Sequence, residues 1–159
     1  MKSLAITHPG LEAIAADEIK ELLGKDAKDI KTAESVVTFD VKKYEDICLL
    51  CYKAQSLIKV ILWFDSFAFK KQEDIFKKAK KIAAQKEFLS FIGKNTRFSV
   101  RCTRIGKHDF ERSEIENGIG SHVKGTVDLN NPDVTVYAYI FNNNCHIGID
   151  FSGLQQFFK

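Results

Sequence analysis

The residues best placed to bind a charged ligand fall in one stretch, Arg101-Cys-Thr-Arg-Ile-Gly-Lys-His-Asp-Phe-Glu-Arg112. It reads as a strand ending in a loop that offers Arg104, Lys107, His108 and Arg112 close to the start of a helix. Exposed backbone N–H groups and the helix dipole favour phosphate oxygens at such a place. A solvated strand end is the plain alternative, and the clustering of four cationic or titratable groups favours binding. Other chemistry finds less support. Cys48 and Cys51 have the Cys-x-x-Cys spacing of redox and metal pairs, but they sit within a helical pattern near its apolar stripe, and no second pair or nearby His completes a tetrahedral set. Cys102 and Cys145 stand alone on separate strands. All four read as reduced thiols packed as small apolar residues. His8, His108, His122 and His146 are scattered and join no Ser or Cys nucleophile in a known arrangement. Gly118-Ile-Gly120 lies in a helical stretch without the third glycine of a nucleotide-binding loop, and Asn131-Pro132-Asp133 reads as a turn.

The formal charge of +3 names no partner, but it is unevenly spread. Between Lys70 and Arg112 there are 13 Lys or Arg against five acidic residues, a local excess of eight, which leaves the rest of the chain at −5. Such segregation is the footprint of a polyanion-binding surface, and a merely solvated face of Lys-rich helices would produce the same count. With 159 residues, 45% hydrophobic and 28% charged, the chain has the composition of a globular protein. No apolar run nears the roughly 18 residues of a membrane span, and residues 4–6 are too short for a secretory signal. The expectation is a cytoplasmic protein without membrane contact.

The elements that must position the cluster follow from apolar spacing. Residues 3–7 read as a strand, and Pro9 leads into a helix whose stripe is Leu11, Ile14, Ala15, Ile19, Leu22 and Leu23, stopped by Gly24. Strands at 29–32 and 36–41, a helix at 44–52 and a nearly all-apolar strand at 57–64 complete a βαββαβ order, the ferredoxin-like arrangement. Lys70, Lys71 and Gln72 then break the apolar pattern before a helix with the stripe Ile75, Phe76, Ala79, Ile82 and Ala83. Glu73 and Asp74 lie one turn before Lys77 and Lys78, which leaves Lys80 and Lys81 without such acidic neighbours and freer to meet a ligand. A short apolar piece at 88–92 precedes a strand at 97–104 in which Phe98, Val100 and Cys102 alternate with Arg97, Ser99, Arg101 and Thr103 on an open, cationic face. A helix at 113–123, with Ser113 and Glu116 as a capping box, and strands at 134–141 and 145–151 around an Asn142-Asn143-Asn144 turn give ααβαββ.

Several motifs recur in order. Arg104-x-Gly-x-His-x-Phe110, Ser113-Glu-Ile, Val127-Asp-Leu-Asn-Asn-Pro-Asp133 and Ile147-Gly-Ile-Asp-Phe-Ser-Gly153 resemble the pattern of the THUMP domain. Thr7-His-Pro-Gly-Leu-Glu12, Leu49-x-x-Tyr-Lys-Ala54 and the strand containing Trp63 resemble the ferredoxin-like domain that precedes THUMP in guanine-N2 RNA methyltransferases. The resemblance implies an α+β chain with a ferredoxin-like unit at 1–66, a THUMP unit at 67–155, and 156–159 as the start of a linker. It further implies that the S-adenosylmethionine loop and catalytic residues belong to a following methyltransferase domain, so that this part carries no cofactor, metal or catalysis. What it would contribute is a grip on the single-stranded 3′ end of tRNA.

On that resemblance Arg104, Lys107, His108 and Arg112 bind RNA. Arg101 would add a phosphate contact, Lys80 and Lys81 would extend the basic face, and exposed aromatics would stack on unpaired bases. Alternatives are a THUMP adaptor for another tRNA-modifying enzyme, such as a cytidine acetyltransferase, a metal or redox protein built on Cys48 and Cys51, and a small-molecule enzyme. For the last the sequence offers no convergent acid, base or nucleophile set.

Overall fold

The computed structural model describes residues 1–151. These fall into two compact units, Met1–Trp63 joined by Asp150 and Phe151, and Phe64–Ile149.

In the first unit, β1 (Lys2–Ile6), α1 (Glu12–Leu23), β2 (Lys28–Ala33), β3 (Val36–Asp40), α2 (Tyr44–Lys53) and the first part of β4 (Lys59–Ala68) follow the expected βαββαβ sequence of elements. The strands lie in the order β2-β3-β1-β4 and pair antiparallel. Leu4, Ala5 and Ile6 are buried on both sides of β1, as a central strand requires, whereas β2 is a lysine-bearing edge whose residues are almost all exposed. Ile19, Val37, Ile47, Leu50, Ile61 and Leu62 fill the core. At the start of α1 the Glu12 carboxylate accepts from Gly10 N–H at 3.0 Å and Ser35 N–H at 2.8 Å. These bonds, that from Ser35 foremost, hold its carboxyl below the usual range. Glu18, farther along α1, accepts from Gln55 and Ser56 N–H at 2.7 and 2.9 Å. Late in the unit Lys59 Nζ donates to Asp150 Oδ2 at 2.7 Å.

Cys48 and Cys51 lie half-buried on α2. Burial pushes both thiols up, that of Cys51 to about 11, so they stay protonated at neutral pH.

The second unit contains α3 (Gln72–Ala83), α4 (Lys86–Phe91), β5 (Arg97–Ile105), α5 (Arg112–Gly120), the two-residue β6 (Thr126–Val127), β7 (Val134–Phe141) and β8 (Asn144–Asp150). Beyond Trp63, β4 runs beside β8, and the order continues β8-β7-β5-β6. β5 and β7 are parallel, joined through α5, while β7 and β8 form a hairpin whose turn residue Asn142 has φ 53°. One face of this sheet, Phe98, Val100 and Cys102 of β5 with Val136, Ala138 and Ile140 of β7, is buried. Ile75, Ala79, Ile82 and Ala83 of α3 and Ile115 and Ile119 of α5 are the buried residues of these helices. The two helices approach so closely that a Cβ at Gly118 would come within 2.1 Å of the Phe76 ring.

The opposite face differs from the open cationic surface expected of β5. Ser99 is 1% exposed and shares a hydrogen bond with Thr135, and Thr103 bonds the Tyr137 hydroxyl. β7 is the neighbour of β5 from Phe98 to Ile105, and its Thr and Tyr side chains stand beside the small hydroxyls, so the cations of this face that stay exposed are Arg97 and Arg101, with the apolar Ile105 exposed at the strand end. Next to them Ser66 Oγ and His146 Nδ1 lie 2.6 Å apart, with Tyr139 stacked on the imidazole.

Candidate nucleic-acid interface

β5 ends at Ile105, and Gly106, with φ 114°, turns the chain back across the β7–β8 hairpin. Only a residue without Cβ fits this approach, because the added atom would lie 2.7 Å from Asn142 Oδ1 and 3.3 Å from its Cα. Asn142 N–H donates to Ile105 O at 2.8 Å and fixes the crossing. The loop then presents Lys107, exposed, and His108, half-buried, before Phe110 closes it against Phe69.

His108 has both ring nitrogens engaged. Nε2 lies 2.6 Å from Asn142 O and Nδ1 lies 3.0 Å from Arg104 Nη1. A carbonyl oxygen can only accept, so Nε2 carries the proton and Nδ1 accepts from the guanidinium. The ring stacks on Phe110 at 5.0 Å and on Phe69 at 5.9 Å between centroids. Phe69 and Phe110 are 6% and 7% exposed, so these aromatics form an internal stack and not the exposed platforms expected for unpaired bases.

Two clefts open around this loop. The first, about 400 Å³, brings Lys70, Lys71 and Gln72 at the start of α3 together with Lys107, His108 and Asn143. Glu73 and Asp109 also line it, so three ammonium groups face two carboxylates. The Asp74 carboxylate already accepts from Lys70 and Lys71 N–H at 3.0 and 3.2 Å, which lowers its pKa and occupies these amides. Attraction for an anion there rests on side chains. Gln72 Oε1 is buried without a hydrogen-bond partner among the described residues. The second cleft, about 510 Å³, lies where β5 meets the start of α5 and is lined by Cys102, Thr103, Arg104, Glu111, Arg112 and Ser113. Arg104 reaches into this cleft while its Nη1 is held by His108 of the other.

The expected capping box at Ser113 does not form. α5 starts at Arg112, and Glu116 instead accepts from the Cys102 backbone N–H of β5 at 3.2 Å. That carboxylate satisfies a strand-edge donor, which outweighs a cap the helix start does without. Burial pushes the Cys102 thiol up to about 12, leaving it no nucleophilic role.

Of the sequence-derived site residues, Arg104, Lys107, His108 and Arg112 thus meet around one loop. Among the described residues, Lys107 and Arg112 form no ion pair. Arg101 is exposed on the far face of β5 and donates to Leu129 O at 3.2 Å. Lys80 and Lys81 are exposed in the last turn of α3, about 12 Å along the helix from Gln72. Sequence reasoning missed Lys70 and Lys71 as site residues, although their break in the apolar pattern marked the place. Arg97 is committed to Asp133 by guanidinium bonds of 2.9 and 3.3 Å, which raise the arginine's pKa and lower the aspartate's.

The THUMP domain pattern matches residues 69–150, just over half of the chain and nearly all of the second unit. The chain belongs to the THUMP domain family. Over 159 aligned residues it is 26% identical to the tRNA (guanine(6)-N2)-methyltransferase of Archaeoglobus fulgidus, with 94% of this chain and 38% of that protein covered. A probable tRNA sulfurtransferase of Methanobrevibacter smithii is 39% identical over 61 residues, covering 36% of this chain and 16% of that protein. The structure of TrmN from Thermus thermophilus superposes with a TM-score of 0.65 at 21% identity, over 94% of this chain and 45% of that one, a likeness of fold. The chain spans about two fifths or less of the length of the curated relatives it matches. Among the described residues no helix is long and apolar enough to cross a membrane.

Proposed function

We propose that this THUMP chain is a non-catalytic RNA-docking module that holds the single-stranded 3′ end of tRNA and belongs with a tRNA guanine-N2 methyltransferase domain. The observation that carries the reading is the convergence of Arg104, Lys107 and Arg112 with Lys70 and Lys71 on two clefts beside one loop. Cations so gathered suit backbone phosphates, which fix position without reading bases. The related methyltransferase and sulfurtransferase differ in reaction and have tRNA in common, as a docking part would. Similarity along nearly the whole chain favours the methyltransferase over the sulfurtransferase, whose likeness covers 36% of it.

S-adenosylmethionine does not fit this chain. Its sulfonium is cationic, and neither cleft has a surplus of carboxylates to meet it, since three lysines stand with Glu73 and Asp109 in the first and two arginines with Glu111 in the second, so in this reading the cofactor would be held by the catalytic domain. In this reading the module's chemistry is electrostatic: Arg104, Lys107 and Arg112 take phosphates around the loop, Lys70 and Lys71 hold the next ones, and Arg101, Lys80 and Lys81 form an outer rim. A gel-shift titration tests it with intact tRNA against tRNA lacking its terminal unpaired nucleotides. Intact tRNA should bind at least about tenfold more tightly, a difference of about 1.4 kcal/mol. Equal affinity would refute recognition of the 3′ end.

A further inference from the structure

Resting on that docking reading, we infer that His108 is a positioning residue: neutral, it holds the Arg104 guanidinium in place for an RNA phosphate, and on protonation it lets go. Three features build the latch. Asn142 O demands the proton on Nε2, which makes Nδ1 the acceptor for Arg104 Nη1 at 3.0 Å. The stack on Phe69 and Phe110 fixes the ring plane, so its lone pair points at one place. Among the described residues, the other partner of the same Nη1 is the Gly106 carbonyl, at a long 3.4 Å. A flexible arginine held on one side has less rotamer freedom to lose when it binds a phosphate.

The surroundings set the response to acid. His108 faces Arg104, Lys107 and Asp109 of its own loop, Lys70, Lys71 and Glu73 at the start of α3, and the uncharged Asn142 and Asn143 of the hairpin turn. A second proton on the ring turns Nδ1 into a donor facing a donor, and sets two cations against each other. The guanidinium then leaves its place. A histidine touching phosphate directly would behave oppositely, because its added charge would tighten binding on acidification.

The experiment measures tRNA affinity at constant ionic strength between about pH 8 and about pH 5.5. It uses the whole chain, the variants Arg104→Ala, His108→Asn and His108→Gln, and the double variant Arg104→Ala with His108→Gln. Asn places an oxygen where Nδ1 was, and Gln places its amide where Nε2 was. At the higher pH, His108→Gln should lose about fivefold, as Arg104→Ala does, the double variant should be no weaker than either, and His108→Asn should stay within about twofold. Acidification should weaken the unaltered chain by a similar factor and leave both His108 variants unchanged. Tighter binding of the unaltered chain in acid, or losses that add in the double variant, would overturn the latch. If Arg104→Ala weakens binding and His108→Gln does not, the latch fails while RNA docking stands. If the unaltered chain shows no salt-dependent tRNA binding, docking itself fails. Should His108→Gln not fold, the acid response of the unaltered chain against His108→Asn decides alone.

Discussion

Replacing Gly106 with alanine probes how the loop is held. At φ 114° an ordinary L residue is strained by about 1–2 kcal/mol. The new Cβ would also stand 3.3 and 3.4 Å from Asn142 Cα and N. That backbone cannot yield freely, since Asn142 N–H is bonded to Ile105 O at 2.8 Å and Asn142 O to His108 Nε2 at 2.6 Å. Crowding adds about 1 kcal/mol, for a total of about 2–3 kcal/mol. In a domain of this size each kcal/mol moves the midpoint of thermal unfolding by about 2–4 °C, so Tm should fall by about 5–10 °C. Gly10→Ala is the control, because Gly10 also has positive φ, 93°, but open space within 4 Å of the added atom. Its Tm should fall by strain alone, about half as much. tRNA affinity should drop about fivefold for Gly106→Ala, whose displacement reaches Arg104 through His108, and stay unchanged for Gly10→Ala. Equal Tm losses, with unchanged tRNA affinity for both, would refute the argument that Gly106 is there for the hairpin crossing.

The remaining expectations concern other cations and one buried base. Lys70→Ala with Lys71→Ala should weaken tRNA binding about tenfold, whereas Lys80→Ala with Lys81→Ala should cost less than about threefold, since the latter stand about 12 Å along α3 from Gln72; a gel-shift series with the reverse ranking contradicts the assignment. Arg97→Ala should leave tRNA affinity unchanged, because the guanidinium is already engaged by Asp133; a loss as large as that of Arg104→Ala would show that net charge and not placement governs binding. Burial lowers the His146 imidazole to about 4, below the roughly 6.5 of an exposed histidine. As pH falls between those values the unfolded chain takes up a proton that the folded chain refuses, so stability present above about pH 6.5 is lost by about 3 kcal/mol as pH approaches 4. His146→Asn should flatten that part of the stability profile in urea unfolding, and an unaltered profile would count against a neutral buried imidazole.

Much of the fold is written in local pattern. The β7 stretch, with its apolar and aromatic residues closed by asparagines that tolerate positive φ, begins and ends at the residues expected, Val134 and Phe141. β4 runs past its expected end at Phe64 to Ala68 through the polar Asp65 and Ser66, because β8 lies beside it and Ser66 meets His146 there. Nothing local announces such a partner. Alternation in β5 identified two faces but not which strand would cover the polar one; Thr135 and Tyr137, more than thirty residues away, close it. Glu116 carries the right spacing for a cap and is drawn to a strand-edge N–H by tertiary placement. The cluster from Arg104 to Arg112 was legible because its residues are neighbours in sequence. Lys70 and Lys71 join it through the pairing of Phe69 N–H with Asn143 O, a contact between segments far apart in the chain.

The salt dependence of tRNA binding is the decisive measurement, since it counts the phosphates that the clefts are proposed to neutralise. For the five cations assigned to the clefts, each on one phosphate of a single strand, log K should fall with log salt at a slope near −3.5, and Arg104→Ala with Lys107→Ala should bring the slope to about −2 for every tRNA tried. A slope near zero, or equal binding of an acidic polypeptide, would contradict it.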